Sequence, residues 1–380
     1  MIPDPIARVL MILSCSLLLS GAAPAVDEVK AKQIDELFAR LKSSNTPGAA
    51  VLVLKDGHAV FERGYGVTDL KTLRRIDTHS NFRLASVTKQ FTATAIMLLV
   101  HDGKLSFETR LSDIFSDFPE SGRLISIRNL LNHTSGLPDY EALMPKSDSR
   151  ARPEQIPQIQ DAEVLELLKR QPTLKFEPGT RWDYSNSGYV ILGVIVGKVS
   201  GEPFGEFLRE RIFSRLKMNQ TIAYQKGTNA VPNRAFGHSL INGVWRQTDQ
   251  SPTSATLGDG GVYSSLADLA KWDWALREHA LLSEVEMQAA LTPVRVPNGS
   301  PEEPDGSPAA YGFGWFLNQY QGHSRMWHYG ETIGFRTAIQ RFPDDKLTII
   351  ILCNRSDVNP TALALKISDL FLREFRGQAP

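Results

Sequence analysis

Ser86-Val87-Thr88-Lys89 sets a hydroxyl and an amine three residues apart, at the head of an apolar run through Phe91, Ala95, Met97 and Leu98 that ends at Asp102-Gly103. On a helix, residues at that spacing share a face. A hydroxyl is a weak nucleophile and needs an adjacent base. A lysine serves as that base only where burial or nearby positive charge makes its neutral form accessible. The free N–H groups of a helix start also stabilise developing negative charge. The spacing by itself says little, because Ser214-Arg215-Leu216-Lys217 repeats it late on an amphipathic helix. Ser86 differs in heading its helix, ahead of a stretch that would bury Lys89.

Two other short segments carry polar groups suited to the same chemistry. Tyr184-Ser185-Asn186 is the only Tyr-x-Asn in the chain and follows the turn Pro178-Gly179-Thr180, just before the apolar segment Gly188 to Val199. It reads either as a helix cap made by Asn186 or Ser187, or as a phenol that shuttles a leaving-group proton while Asn186 orients Lys89 or a substrate amide. His328-Tyr329-Gly330 follows the strand-like Met326-Trp327 and precedes Glu331 and Arg336. A bare His-x-Gly is uninformative, since His101-Asp102-Gly103 matches it and reads as a helix C-cap. Arg336 reads as an anion contact or as one half of a salt bridge on the sheet surface.

Other chemistries lack their residues. The histidines show neither His-Glu-x-x-His nor His-x-His, no Gly-x-Ser-x-Gly elbow is present, and Gly64-Tyr65-Gly66 lacks the third glycine of a dinucleotide loop. No metal, nicotinamide or nucleotide cofactor is implied. Lys and Arg number 42 against 42 Asp and Glu, a formal net charge of zero that argues against a nucleic-acid partner. At 42% hydrophobic and 22% charged residues, the chain has the composition of a globular enzyme rather than of a disordered or multispan membrane protein.

The positioning elements follow from periodicity. Residues 27 to 44 place Val29, Ile34, Leu37, Phe38 and Leu41 at helical spacing. Gly48 to Leu54, the turn Lys55 to His58, and Ala59 to Phe61 then predict a β-hairpin. A second hairpin is expected from Phe335 to Phe342 and Lys346 to Leu352, followed by a C-terminal helix with Leu363, Leu365, Ile367, Leu370, Phe371 and Phe375. Between the two ends helices predominate, starting near Ser86, Asp161, Ser187, Pro203 and Leu266, the last opened by a capping box of Ser265 with Asp268. A small hairpin is expected at Asn242-Gly243. Long polar loops run from Met144 to Gln160 and from Pro293 to Pro308.

The first 25 residues read as a signal peptide: Arg8, an apolar run from Val9 to Leu19, then the small residues Ser20 to Ala25. The run is too short for a stable membrane span. Export to the periplasm or the medium is expected, with cleavage after Ala25. Cys15 sits in a poor lipoprotein context and reads as leader filler. Cys353, inside an apolar run, reads as a buried small hydrophobe.

In this order, the Ser86, Tyr184 and His328 segments resemble the serine β-lactamase and penicillin-binding-protein superfamily, most closely its class C β-lactamase, DD-peptidase and esterase branch. Asn132-His133-Thr134-Ser135-Gly136-Leu137-Pro138, Gly260-Gly261-Val262-Tyr263-Ser264-Ser265 and Tyr311-Gly312-Phe313-Gly314-Trp315 look like recurrent segments of that family.

The resemblance implies an α+β fold, an α/β sandwich of the β-lactamase/transpeptidase-like kind. An antiparallel sheet from both chain ends (26–80 and 255–380) would be flanked by helices, with a mainly helical region at 81–254. It implies Ser86 as acylated nucleophile, Lys89 or Tyr184 as base, Tyr184 as proton shuttle and Asn186 as a positioner. His328 and Gly330 would border the cleft, and the backbone N–H groups of Ser86 and Glu331 would form the oxyanion hole. The expected substrate is a small ester, a D-amino-acid peptide or a β-lactam. At 328 to 330 the family's β-lactamases carry Lys-Thr-Gly where this chain has His-Tyr-Gly, so a fixed cation for a substrate carboxylate is missing. An esterase or peptidase is therefore expected ahead of a β-lactamase, and a non-catalytic member that binds cell-wall peptide or protein is the remaining alternative. The residues leave the oligomeric state open.

Overall fold

Two apolar strands carry the architecture because both of their faces are covered. In the computed structural model, which describes residues 26–144, 156–302 and 309–372, these are β1 (Ala49–Lys55) and β12 (Leu347–Cys353). Successive side chains of a strand point to opposite faces. Ala50, Leu52, Leu54, Ile350 and Leu352 accordingly enter one core. Ala49, Val51, Val53, Ile349, Ile351 and Cys353 enter another, against Ile34, Phe38, Leu41, Ala364 and Ile367 from the chain ends. Each fully buried aliphatic side chain contributes about 2 kcal/mol. Cys353 is a buried free thiol in that second core.

The remaining strands are β2 (His58–Tyr65), β3 (Phe82–Arg83), β4 (Ile222–Ala223), β5 (His238–Ile241), β6 (Val244–Gln247) and β7 (Val262–Ser264). They continue with β8 (Ala310–Tyr311), β9 (Phe316–Tyr320), β10 (His323–Thr332) and β11 (Phe335–Phe342). The main sheet runs β2-β1-β12-β11-β10-β9-β8, so strands from the two chain ends meet where β1 pairs antiparallel with β12. A small sheet has the order β3-β7-β4, and β5-β6 form the Asn242-Gly243 hairpin. The helices Lys89–His101, Asp161–Lys169 and Asn186–Ser200 pack against one another, with Asn186–Ser200 in the middle.

Local differences from the expected pattern have physical causes. The first helix spans Glu28–Leu37 and gives way to a 3-10 turn at Ala39–Leu41, leaving Val29 exposed while Phe38 and Leu41 are buried. Before Leu266–Arg277, Ser265 accepts from the Asp268 N–H, but the Asp268 carboxylate does not complete the box. It accepts instead from Gln220 N and Thr221 Oγ, tying this helix to the segment before β4. No helix among the described residues is long and apolar enough to cross a membrane. Residues 1–25 with Cys15, residues 145–155 and 303–308 of the two long loops, and Phe375 lie outside the described residues.

Candidate active site

Ser86 owes its position to β3. That strand pairs with β7, and beyond it the Leu84 N–H donates to Val262 O at 2.8 Å. Arg83 donates from Nε to Gly260 O at 3.1 Å and from Nη2 to Ser254 O at 3.2 Å. The chain then makes a 3-10 turn, Ala85–Thr88, before the helix Lys89–His101. Ala85 has φ 48°, a left-handed conformation that an L residue adopts only under constraint, and such strain gathers at functional sites. From Asn81 to Gln90 every residue is buried except Ser86, so the hydroxyl is the one group of this segment that a solute can reach.

Lys89 is wholly buried. Its ammonium has three N–H groups, and the structure provides three acceptors: Ser86 Oγ at 3.0 Å, Asn186 Oδ1 at 2.9 Å and the Asp259 carbonyl at 3.0 Å. The rings of Tyr184 and Tyr189 lie 5.0 and 5.4 Å from Nζ, within cation–π range. Burial lowers the Lys89 pKa to about 8, against the opposing pull of Asp259 and Glu141. The Asp259 carbonyl is delivered by a loop laced to the same helix, through Thr92 Oγ1 donating to Gly258 O at 2.6 Å and Val262 N donating to Thr88 Oγ1 at 3.2 Å.

Tyr184 and Asn186 arrive together at the start of the helix Asn186–Ser200. The cap is Ser185, whose hydroxyl accepts from Gly188 N, rather than Asn186 or Ser187. Asn186 is thereby free to accept from Lys89, and its Nδ2 donates to Glu141 Oε1 at 3.4 Å. Ser187 instead donates to Pro138 O and accepts from Tyr140 N. The Tyr184 phenol interacts with Ser86, and burial, reinforced by Asp259, raises its pKa above the ordinary tyrosine range. Ser86, Lys89, Tyr184 and Asn186, from two distant parts of the sequence, thus form one contiguous group.

The β10 residues divide. His328 is completely buried, 3.1 Å through Nε2 from the Tyr311 hydroxyl and 2.6 Å through Nδ1 from the Tyr329 carbonyl. A carbonyl can only accept, so Nδ1 carries the proton and Nε2 accepts from Tyr311. Burial and then the Lys89 charge lower the His328 pKa to about 3. His328 is therefore neutral at ordinary pH and supplies no cation on this strand. Arg336 is no free anion contact either: Nη2 meets Glu331 at 2.7 Å, and Nη1 donates to Thr332 O and Phe335 O. Gly330 lies against the turn that carries Ser86 so closely that a Cβ would fall 2.1 Å from Leu84 O and 2.3 Å from Thr337 Oγ1. Its lack of a side chain brings β10, and with it the exposed Glu331, beside the turn that carries Ser86.

Three residues near this group were not singled out from sequence. Asp259 precedes Gly260-Gly261, and an acid set among glycines was the available signal. His133 lies inside a segment noted only for its resemblance. It is buried with Nδ1 accepting from Ser185 N at 3.0 Å and its ring 4.3 Å from that of Tyr184. Glu141 offers no signal in sequence. Burial, Asp139 and Asp259 raise its pKa, while Asn186 and Lys89 oppose the rise.

The family model described as Beta-lactamase matches residues 34–372. Penicillin-binding protein 4* of Bacillus subtilis (strain 168) is 32% identical over 342 residues, covering 86% of this chain and 72% of that protein. A D-aminopeptidase of Gluconobacter oxydans (strain 621H) is 26% identical over 330 residues, 84% of this chain and 58% of that protein. Among solved structures, the D-amino acid amidase of Ochrobactrum anthropi SV3 complexed with D-phenylalanine matches with a TM-score of 0.74. Its identity is 25%, over 90% of this chain and 99% of that one.

Proposed function

The chain belongs to the Beta-lactamase family and has its β-lactamase/transpeptidase-like fold, and from that premise we propose that it is an exported hydrolase working through a covalent acyl-Ser86, on an ester or a D-amino-acid amide. The observation that carries the reading is the hydrogen bond between Lys89 Nζ and Ser86 Oγ at 3.0 Å, in a setting where the amine is buried. With a pKa of about 8, Lys89 is neutral in roughly a tenth of molecules at pH 7. Reaching that state then costs about 1 kcal/mol, instead of about 5 for an ordinary lysine. Tyr184, raised above its usual range, loses its proton less readily, which favours Lys89 as the base of acylation.

Ser86 Oγ attacks the acyl carbon while its proton passes to Lys89 Nζ. The C–N or C–O bond to the leaving group breaks, and Tyr184 hands the leaving atom a proton that Lys89 replaces. Water then attacks the acyl carbon, the ester bond to Ser86 Oγ breaks, a proton from the water passes to Oγ, and the acid is released. The Ser86 and Glu331 N–H groups supply the donors that the developing oxyanion needs. Asn186 keeps Lys89 aimed at Ser86. Residues 1–25 direct export, a role for which the apolar run Val9 to Leu19 is the support.

Glu141, joined to Asn186 at the same group, favours a substrate bearing a free amine over one bearing a carboxylate. The neutrality of His328 and the engagement of Arg336 point the same way, and both weigh against a β-lactam. The names of the aminopeptidase and amidase relatives agree with an amine-bearing substrate. Turnover of p-nitrophenyl esters, D- and L-alanine p-nitroanilides, N-acetyl-D-alanine p-nitroanilide and nitrocefin by the purified protein tests the reading. Ester or free-amine D-anilide hydrolysis should exceed that of nitrocefin. Nitrocefin turnover far above all others would instead establish a β-lactamase, and binding without turnover of any would establish a non-catalytic member.

A further inference from the structure

The Asp259 carbonyl accepts from Lys89, but the Asp259 side chain has no role in the steps above. That side chain is buried, with the residue only 6% exposed. One carboxylate oxygen, Oδ2, accepts from the Tyr140 hydroxyl at 3.1 Å, and the other, Oδ1, is buried with no hydrogen-bond partner. A half-satisfied carboxylate away from water is costly to keep, by several kcal/mol, unless an opposite charge shares its surroundings. The charge at hand is Lys89, whose ammonium rests on the carbonyl of this same residue at 3.0 Å.

We propose that Asp259 is a positioning residue that sets the protonation of Lys89: its carbonyl fixes the nitrogen beside Ser86, and its buried carboxylate holds the resting lysine in the charged form. The proposal rests on the acyl-Ser86 reading and deepens it.

The other groups around Lys89 leave Asp259 as the main counter-charge. From the helix Asn186–Ser200 and the residues before it come Tyr184, Asn186 and Tyr189, all neutral, the two phenols with pKa values raised by burial. His328 on β10 and His133 are both held neutral by burial and by the Lys89 charge itself. Asp161 lies by the same loop, its Oδ1 accepting from Leu257 N at 3.0 Å, but burial lifts it to about 8, so it is mostly uncharged at pH 7. Glu141 is the second acid. It reaches Lys89 through Asn186 and, though partly desolvated, keeps contact with solvent, which screens its charge more than that of the buried Asp259.

The sign of the effect follows. The base form of Lys89 is the neutral amine, and a nearby carboxylate opposes its formation. Removing that charge should let Lys89 lose its proton at lower pH, so the acid limb of the Ser86 acylation rate moves down. The second-order rate of Ser86 phosphonylation by a fluorophosphonate probe, in which Oγ attacks phosphorus and fluoride leaves, is followed by intact mass from pH 5 to 9 and reads the same Lys89-assisted attack. For Asp259→Asn we expect the limb to move down by about half to one pH unit, raising the rate at pH 6 about three- to tenfold relative to the plateau. Asp259→Glu should restore the wild-type limb, and Asp259→Ser should resemble Asp259→Asn. That ordering also serves if the asparagine variant does not fold.

A structural role alone would change the plateau rate and leave the limb in place. A limb for Asp259→Asn or Asp259→Ser that coincides with wild type, in a folded protein labelled at Ser86, overturns the proposal while leaving the acyl-Ser86 reading intact. Labelling that persists undiminished in Ser86→Ala overturns both.

Discussion

The hydroxyl of Tyr311 donates to Nε2 of His328 across 3.1 Å, so the ring that stands where the family's β-lactamases place a lysine is a neutral acceptor. The opposite ring nitrogen gives its proton to the Tyr329 carbonyl, leaving no site for a second proton without breaking one of these bonds. His328 should therefore contribute no ionisation to the pH profile between 5.5 and 8. Its folded-state pKa, about 3, lies below the ordinary value near 6.5. The linked stability is thus fully present above pH 6.5 and is lost as pH falls toward 3, because the unfolded chain takes up the proton first. Histidine ring resonances followed by NMR check this, and a His328 titration midpoint between 5.5 and 8 would contradict it.

Gly330 predicts a steric limit on β10. An alanine there would drive its Cβ into Leu84 O and Thr337 Oγ1, both held by other bonds, Thr337 Oγ1 itself donating to Leu84 O at 2.8 Å. Gly330→Ala should lower stability by about 1–3 kcal/mol through overpacking and reduce kcat at least tenfold, because β10 and the Ser86 turn must separate. Urea unfolding together with ester kinetics measures both. A variant as stable and as active as wild type would mean that β10 is not fixed against that turn.

Asp161 gives a stability prediction of opposite sign to that of His328. Burial raises its pKa to about 8 while its Oδ1 accepts from the Leu257 amide. A carboxyl whose folded pKa is raised stabilises the fold below its unfolded value near 3.9, and that contribution is lost as pH rises through 8. Asp161→Asn keeps an oxygen for Leu257 N and removes the ionisation. Its Tm relative to wild type should therefore climb between pH 4 and 9, which differential scanning calorimetry would record. A Tm difference independent of pH would rule out a raised Asp161.

Much of this architecture can be read from the chain because a strand covered on both faces must be apolar at every position. Val51 to Leu54 and Ile349 to Cys353 show that pattern directly. Ser86 is legible because a polar residue heads a run that is otherwise buried. What stays hidden depends on partners distant in sequence. The neutrality of His328 is set by Tyr311 and by burial, and neither is visible in His-Tyr-Gly. The shift of the helix cap from Asn186 to Ser185 is one residue long, yet it decides whether Asn186 is free for Lys89. Asp268 looked like half of a capping box until Gln220 and Thr221 claimed its carboxylate. Asp259 contributes a backbone oxygen to Lys89, and a backbone oxygen leaves no trace in residue identity.

The central claim is that Ser86 becomes acylated with Lys89 as its base. It is tested most directly by treating the purified protein with a fluorophosphonate probe at pH 7.5 and mapping the adduct by peptide mass spectrometry. One equivalent should attach to the peptide carrying Ser86. Ser86→Ala should show none, and Lys89→Met should react at least about a hundredfold more slowly. An adduct of undiminished yield in Ser86→Ala, or full-speed labelling in Lys89→Met, would contradict it.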